Sequence, residues 1–116
     1  MKLESYFNQI KNDFDELEKL TNFPAFYLEK ETDIEKSMLY SYGIEDIAFS
    51  DDFADVVRAD IMLNVYFPDG ILKTNKLISE NLRKLEFYNI ELIGTEKEAK
   101  GYNTCFTFSK KYIRSE

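Results

Sequence analysis

Val56-Val57-Arg58-Ala59-Asp60-Ile61-Met62-Leu63-Asn64-Val65-Tyr66-Phe67 is a stretch in which apolar side chains occupy every second position. The apolar set is Val57, Ala59, Ile61, Leu63, Val65 and Phe67, and Met62 is the one apolar residue at the positions between them. Successive side chains of a strand point to opposite faces of a sheet. The pattern therefore predicts one long strand with an apolar face and a mixed face, and this strand anchors the predicted fold.

The spacing of the apolar residues changes after this strand. Pro68-Asp69-Gly70 suits a turn, and the next apolar residues recur at helical spacing: Leu72, Leu77, Ile78, Leu82 and Leu85. A stripe with the same spacing marks residues 2–20, where it consists of Leu3, Tyr6, Phe7, Ile10, Phe14, Leu17 and Leu20. Both segments are predicted to be amphipathic helices.

Short segments rich in β-forming residues predict the remaining strands. They cover residues 25–28, 37–42, 90–93 and 102–112, and residues 47–49 either continue the second strand or begin another. We expect a bulge or a turn at Gly43 and a charged hairpin loop over residues 96–101. The prediction is a single domain over residues 1–116, an α+β fold with a mostly antiparallel sheet packed against two helices, in the order α-β-β-β-α-β-β.

The charge of the chain is strongly asymmetric. Its net charge is −7, yet residues 1–55 hold 14 acidic and 5 basic side chains, whereas residues 56–116 hold 8 acidic and 10 basic ones. A candidate acidic patch consists of Glu45, Asp46, Asp51, Asp52 and Asp55. These residues do not follow the spacing of a calcium-binding loop. Two interpretations remain: a solvated surface that maintains solubility, or a surface that meets a basic partner or repels nucleic acid.

The residue types needed for catalysis are scarce. The chain has no histidine, one cysteine (Cys105) and four glycines that form no phosphate-binding cluster. A Ser-His or Cys-His nucleophilic pair is therefore excluded, and one cysteine cannot build a zinc site. We expect no enzymatic activity, no cofactor and no metal. No apolar stretch approaches the length of a membrane span, so a membrane partner is not expected either.

Tyrosine is abundant in the predicted strands, and tyrosine is enriched at protein interfaces. The chain contains 8 Tyr and 10 Phe. Most Phe positions fall on the apolar stripes, whereas several tyrosines and two charged residues lie on strand faces that a neighbour could contact. The candidate subunit or partner interface consists of Tyr40, Tyr42, Arg58, Asp60, Tyr66 and Tyr102.

The order of these elements and several local motifs resemble one protein family. The motifs are Phe23-Pro24 after the first helix, Leu39-Tyr40-Ser41-Tyr42, the Asp51-Asp52 pair, the strand from Arg58 to Tyr66, the segment from Leu82 to Tyr88, and the hairpin from Gly101 to Phe108. In this respect the chain is similar to the tail terminator and tail-to-head joining proteins of long-tailed bacteriophages, especially those of Gram-positive hosts. It departs from their pattern in an extra acidic stretch over residues 29–36 and a very short segment before the second helix.

The resemblance implies a structural role in the virion, at the tail or neck, with assembly in the host cytoplasm. It implies a ring of identical subunits, commonly a hexamer, that caps the tail tube protein and meets the head connector protein without catalysis. DNA would pass through the lumen of such a ring without specific binding, and an acidic lumen would repel its phosphates.

A second function is compatible with the same charge pattern. A small acidic phage-encoded protein could inhibit a host nucleic-acid enzyme by imitating the charge of DNA. The acidic first half favours this alternative, and the nearly neutral second half does not. Charge-driven binding weakens steeply with salt, whereas ring assembly through aromatic surfaces does not.

Overall fold

The structure is a computed structural model that describes residues 2–29, 35–50 and 53–113. Within these residues the elements are α1 (Lys2–Thr21), β1 (Ala25–Tyr27), β2 (Ser37–Ser50), β3 (Phe53–Phe67), α2 (Ile71–Lys84), β4 (Tyr88–Glu98) and β5 (Gly101–Ile113). The predicted α+β class and the predicted order α-β-β-β-α-β-β are confirmed.

The five strands form one sheet in the spatial order β1-β2-β3-β5-β4. The short β1 runs parallel to β2, and the other three neighbouring pairs are antiparallel. Strand β3 lies at the centre, where Ala59 pairs with Ile44 of β2 on one side and with Lys110 of β5 on the other. The alternating stretch of the sequence is therefore the strand around which the sheet is built.

Both helices pack on the same face of the sheet. The alternate residues of β3 that face them are almost inaccessible: Val57, Ala59, Ile61, Leu63, Val65 and Phe67. The helices contribute Tyr6, Ile10, Phe14 and Leu17 from α1 and Thr74, Ile78 and Leu82 from α2. The predicted apolar face of the long strand is thus the floor of the hydrophobic core.

The stripe predicted for the second helix is wrong at Leu72. This side chain is 86% exposed, and Thr74 takes the buried position in the first turns of α2. Because consecutive residues of a helix are rotated by about 100°, Leu72 lies on the side opposite Thr74 and Ile78. Neither described helix combines the length and the apolar character that a bilayer crossing requires.

The prediction of a bulge or turn at Gly43 is also wrong. Gly43 pairs with Asp60 in unbroken register, and β2 continues to Ser50, so residues 47–49 extend the same strand. The register shifts only between Asp46 and Ala48 and again before Phe49. Because β3 offers a partner at each successive position, the ladder runs straight past the glycine.

The hairpin predicted at residues 96–101 is confirmed, but its loop is shorter than predicted, because residues 96–98 and 101 belong to the strands. Lys97 pairs with Tyr102 and Glu98 with Gly101, so the turn is reduced to two residues. The hydroxyls of Thr95 and Thr104 lie 2.7 Å apart and join the two strands. The charged side chains of residues 96–98 remain exposed, so these residues can pair in the sheet without the loss of hydration that burial of a charge would cause.

Two phenylalanines of α1 are expected to contribute unequally to the free energy of unfolding. Phe14 is 1% exposed and stacks on Tyr40 with ring centroids 3.8 Å apart, whereas Phe7 is 40% exposed. We expect Phe14→Ala to lower the free energy of unfolding by about 3 kcal/mol. Phe7→Ala should cost less, about 1 kcal/mol, since a large part of this side chain is already exposed to solvent in the folded protein. Urea denaturation measures both, and equal losses would contradict this description of the core.

Candidate functional site

The sheet face opposite the helices is not covered by any described element. We call it the open face, and it consists of five residues of β3 and their register partners on β2 and β5. These are Arg58, Asp60, Met62, Asn64 and Tyr66 of β3, Ser37, Leu39, Ser41, Gly43 and Glu45 of β2, and Asn103, Cys105, Thr107, Ser109 and Lys111 of β5. Met62 at its centre is 48% exposed. Three predicted interface residues, Arg58, Asp60 and Tyr66, therefore share one surface, as their alternation along the strand requires.

A charged network occupies one half of the open face. Arg58 donates from Nε to Oδ1 of Asp60 at 3.0 Å and from Nη2 to Oδ2 at 3.2 Å. Arg58 also forms a salt bridge with Glu45, its register partner on β2. Ser109 of β5 donates its hydroxyl to Oδ1 of Asp60 at 2.7 Å. The network therefore ties three neighbouring strands together, with its three charged side chains partly exposed and Ser109 buried.

The protonation states of this network favour the charged forms. The hydrogen bond from Ser109 lowers the pKa of Asp60, and Arg58 adds to this effect. The hydrogen bond to Asp60 raises the pKa of Arg58, and the charges of Asp60 and Glu45 raise it further. A carboxylate that accepts hydrogen bonds and faces a guanidinium stays ionised to lower pH.

Tyr66 lies at the other half of the open face and is half-buried. It stands opposite Ser37 of β2 and Asn103 of β5. Burial raises the pKa of Tyr66, and Glu98 and Cys105 raise it further. Its hydroxyl therefore remains protonated over the physiological range, which gives the open face an uncharged polar group beside an aromatic ring.

Tyr40 and Tyr42 belong to an aromatic cluster on the helix side of the sheet. Tyr40 is 6% exposed and lies in the core against Phe14. Tyr42 is half-buried, with its ring centroid 5.2 Å from that of Tyr27 and 6.0 Å from that of Phe7. Burial is the main reason that the pKa of each of these two strand tyrosines rises to about 12. The structure thus places Tyr40 inside the domain and Tyr42 at the margin of the cluster.

Tyr102 also lies on the helix side. It is half-buried and stacks on Phe67 with ring centroids 5.8 Å apart. The ammonium group of Lys97 lies 5.2 Å from its ring centroid, within the range of a cation–π contact. Of the six predicted interface residues, the structure therefore brings together Arg58, Asp60 and Tyr66 and separates them from the other three.

The candidate acidic patch is only partly described. Glu45 and Asp46 are exposed on β2, and Glu45 is joined to Arg58. Asp51 and Asp52 lie outside the described residues, between β2 and β3, and Asp55 belongs to β3 without a described side chain. Among the described residues, no group of three acidic or thiol side chains is arranged to hold a metal ion.

A second polar network escaped prediction from the sequence. Asp13 of α1 accepts hydrogen bonds from Lys110 at 2.9 Å and from the Tyr112 hydroxyl at 2.6 Å, and Lys110 also donates to the carbonyl of Leu85 at 2.8 Å. Burial and the bond to Asp13 raise the pKa of Tyr112 far above its ordinary value. One signal was present: Lys110 is the one charged residue on the alternation of β5 that carries Tyr102, Thr104, Phe106, Phe108 and Tyr112.

Comparison with known proteins adds no family assignment. No protein-family model matches the sequence, and no curated protein sequence matches it.

The network of Asp13, Lys110 and Tyr112 is expected to contribute more to the free energy of unfolding than an exposed ion pair does. The side chains of Asp13 and Lys110 are 20% and 21% exposed. Asp13→Ala should lower the free energy of unfolding by about 2 kcal/mol, because Lys110 and Tyr112 lose their shared acceptor. Asp15→Ala removes only an exposed pair with Lys11 and should cost less than about 1 kcal/mol. Similar losses in urea denaturation would contradict this assignment.

The hydrogen bond between Ser109 and Asp60 on the open face predicts that removing the Ser109 hydroxyl changes the pKa of Asp60. Since the Ser109 hydroxyl is the main cause of the lowered pKa of Asp60, Ser109→Ala should move that pKa upward, toward the ordinary value. The native Asp60 carboxylate stabilises the fold above its ordinary pKa, and this contribution is lost as the pH falls through the lowered value. Carboxyl-carbon NMR titration measures the shift. Thr107→Ala, on the same face opposite Met62, is the control and should leave the titration of Asp60 unchanged.

Proposed function

We propose that this chain is a structural protein of a long-tailed bacteriophage that assembles into a ring, caps the tail tube and joins it to the head connector. The observation that carries the proposal is the open face, a broad surface on the central strands that the helices leave uncovered. A protein that works by contact needs such a surface on a rigid scaffold, and the central position of β3 supplies the rigidity.

The composition of the open face suits a reversible protein contact. Met62 and Tyr66 offer apolar area, and the positive charge of Arg58 is already paired with Asp60 and Glu45 within the chain. Interfaces between separately folded proteins combine an apolar centre with hydrogen-bonded polar groups. Because these charges are already paired within the chain, a partner can cover them without leaving an unpaired charge in an interface that excludes water.

The shape of the domain also supports a ring. Its dimensions are 51 × 26 × 21 Å. Strands β2 and β3 form a long antiparallel hairpin, in which Phe53 and Ala54 pair with Ser50 and Phe49. Asp51 and Asp52 connect the two strands of this hairpin. In the proposed ring the hairpin would point toward the channel, where acidic residues would repel the phosphates of passing DNA.

The alternative, an inhibitor that imitates nucleic-acid charge, depends on free carboxylates. Glu45 and Asp60 are paired with Arg58 instead, which lowers the negative potential of the open face. The salt dependence of binding to a basic enzyme distinguishes this alternative, because charge mimicry requires a steep loss of affinity with added salt.

The proposal is tested by the native mass of the protein, alone and after addition of purified tail tubes. We expect a discrete multimer that binds tube ends, with little dependence on salt. Tyr66→Ser should weaken assembly by about tenfold, because it removes a ring from the open face. Tyr27→Ser is the matched control, since Tyr27 is 48% exposed but pairs with Tyr40 on the helix side.

Unfolding measurements on both variants separate assembly from folding. We expect Tyr66→Ser to change assembly more than stability and Tyr27→Ser to leave assembly intact. A persistent monomer that ignores tubes and connectors would exclude the proposed function, and equal losses of assembly and stability for Tyr66→Ser would assign the tyrosine a purely structural role.

A further inference from the structure

A cleft of about 430 Å³ lies on the helix side of the sheet, between the end of α1 and the beginning of α2. Phe23, which follows α1, and Leu77 of α2 supply apolar surface to it. Its volume is within the range of small-molecule sites, roughly 300–1,000 Å³. Since the open face is on the other side of the sheet, a ligand in this cleft does not depend on the proposed function.

The charge of the cleft is opposite to that of the whole chain. Five charged side chains line it: Lys36, Lys73, Lys76, Asp69 and Glu80. Lys76 lies 3.9 Å from Glu80, whereas Lys36 and Lys73 form no ion pair with any described residue. The lysines outnumber the carboxylates in a chain whose net charge is −7. This local excess of positive charge favours an anionic ligand.

Helix α2 begins at this cleft without a side-chain cap. Its N-cap residue is Gly70, and its first turn contains no acidic residue. The N–H of Thr74 donates to the carbonyl of Gly70 at 2.9 Å. The N–H groups of residues 71–73 precede this bond and have no acceptor within the helix. Together with the partial positive charge at the beginning of a helix, such groups bind anions.

The hydroxyl of Thr74 indicates independently that the cleft holds a ligand. Thr74 shares the buried stripe of α2 with Ile78 and Leu82 and is only 8% exposed, yet it is polar. It lines the cleft, and its Oγ1 lies 4.0 Å from the position that a Cβ on Gly70 would take. No described residue forms a hydrogen bond with this hydroxyl. The side chain therefore presents an unused donor at the beginning of the helix.

The other buried threonines of the described chain have partners. The hydroxyl of Thr21 donates to the carbonyl of Leu17 at 2.8 Å, and the hydroxyls of Thr104 and Thr95 lie 2.7 Å apart. A buried polar group without a partner costs free energy, and such groups are rare in folded proteins. Hydrogen bonding to a ligand in the cleft accounts for a threonine at position 74 where the fold itself needs only an apolar side chain.

We propose that the cleft binds a small phosphate monoester, with its phosphate group at the beginning of α2. The Thr74 hydroxyl and the N–H groups of residues 71–73 donate to the phosphate oxygens, and Lys36 and Lys73 balance the charge. A phosphate monoester suits several donors, because it has three terminal oxygens and a charge of about −1.5 to −2 at pH 7. The cleft exceeds the size of a phosphate group, so the organic part of the ligand lies against Phe23 and Leu77.

Titration of the intact chain with phenyl phosphate, followed by two-dimensional amide NMR, tests the site. We expect saturable shifts of the amide signals of residues 71–74. Inorganic phosphate should shift the same signals at concentrations about tenfold higher, because it has no ring to bury against the apolar surface. Phenol, which has the ring without the phosphate, should leave these signals unchanged.

Three results of this titration would overturn the proposal. Unchanged signals of residues 71–74 in phenyl phosphate would exclude the site. Shifts that grow linearly with concentration and never saturate would indicate nonspecific ion association instead. Equal affinities for inorganic phosphate and phenyl phosphate would remove the assignment of a monoester.

Thr74→Val removes the hydroxyl at nearly constant volume. Binding of phenyl phosphate should weaken by about tenfold or more, because a hydrogen bond to a charged group is lost. The free energy of unfolding should not fall, because the hydroxyl has no partner in the described chain. Thr107→Val, on the open face, is the matched control and should bind normally. Unchanged affinity of Thr74→Val would contradict the proposal.

Changes of charge test the sign of the electrostatic contribution. Lys73→Gln should weaken the binding of phenyl phosphate about threefold, and Asp69→Asn should strengthen it by a similar factor. Lys84→Gln makes the same change in net charge at the other end of α2, outside the cleft, and should leave the affinity unchanged. Equal weakening by both lysine variants would mean that only the net charge of the protein matters, which would overturn the proposal.

Discussion

The burial of one face of β3 is the constraint on which the rest of the structure depends. Its alternate side chains lie under both helices, and the strand is bounded on each side by a long antiparallel partner. A shift of one residue in register would exchange the apolar set with Arg58, Asp60 and Asn64 and place charges in the core. The register therefore also fixes which side chains form the open face, because the two faces are set by the same alternation.

Periodicity made the major elements predictable, since it is a local property of the chain. The long strand, both helices and the order of the elements follow from spacings of two and of three to four residues. The predictions failed where the conformation of a segment depends on the strand beside it. Gly43 continues a ladder because β3 offers a partner, and residues 96–98 are strand because β5 lies beside them. Leu72 faces solvent because packing selected the side of α2 that carries Thr74 and Ile78.

The candidate site was predictable to a smaller extent. Alternation along β3 correctly placed Arg58, Asp60 and Tyr66 on one face, but composition alone could not reveal that Tyr40 stacks inside the core on Phe14. The contact of Asp13 with Lys110 joins residues 97 positions apart, and its one local signature is a lysine on the mostly apolar face of β5. Pairing of Glu45 with Arg58 likewise follows from register, and it gives one member of the predicted acidic patch a cationic partner.

The position of β5 in the sheet has a consequence for biosynthesis. Of the seven elements that the structure describes, it is the last in chain order, yet it lies between β3 and β4, and its Lys110 and Tyr112 donate hydrogen bonds to Asp13 of the first helix. A nascent chain that has emerged only as far as β4 lacks the strand that joins β4 to the rest of the sheet. Native structure therefore forms late, through contacts between residues distant in sequence, which is a slow route to folding. Until β5 emerges during translation, the side of β3 that faces away from β2 is an unpaired edge.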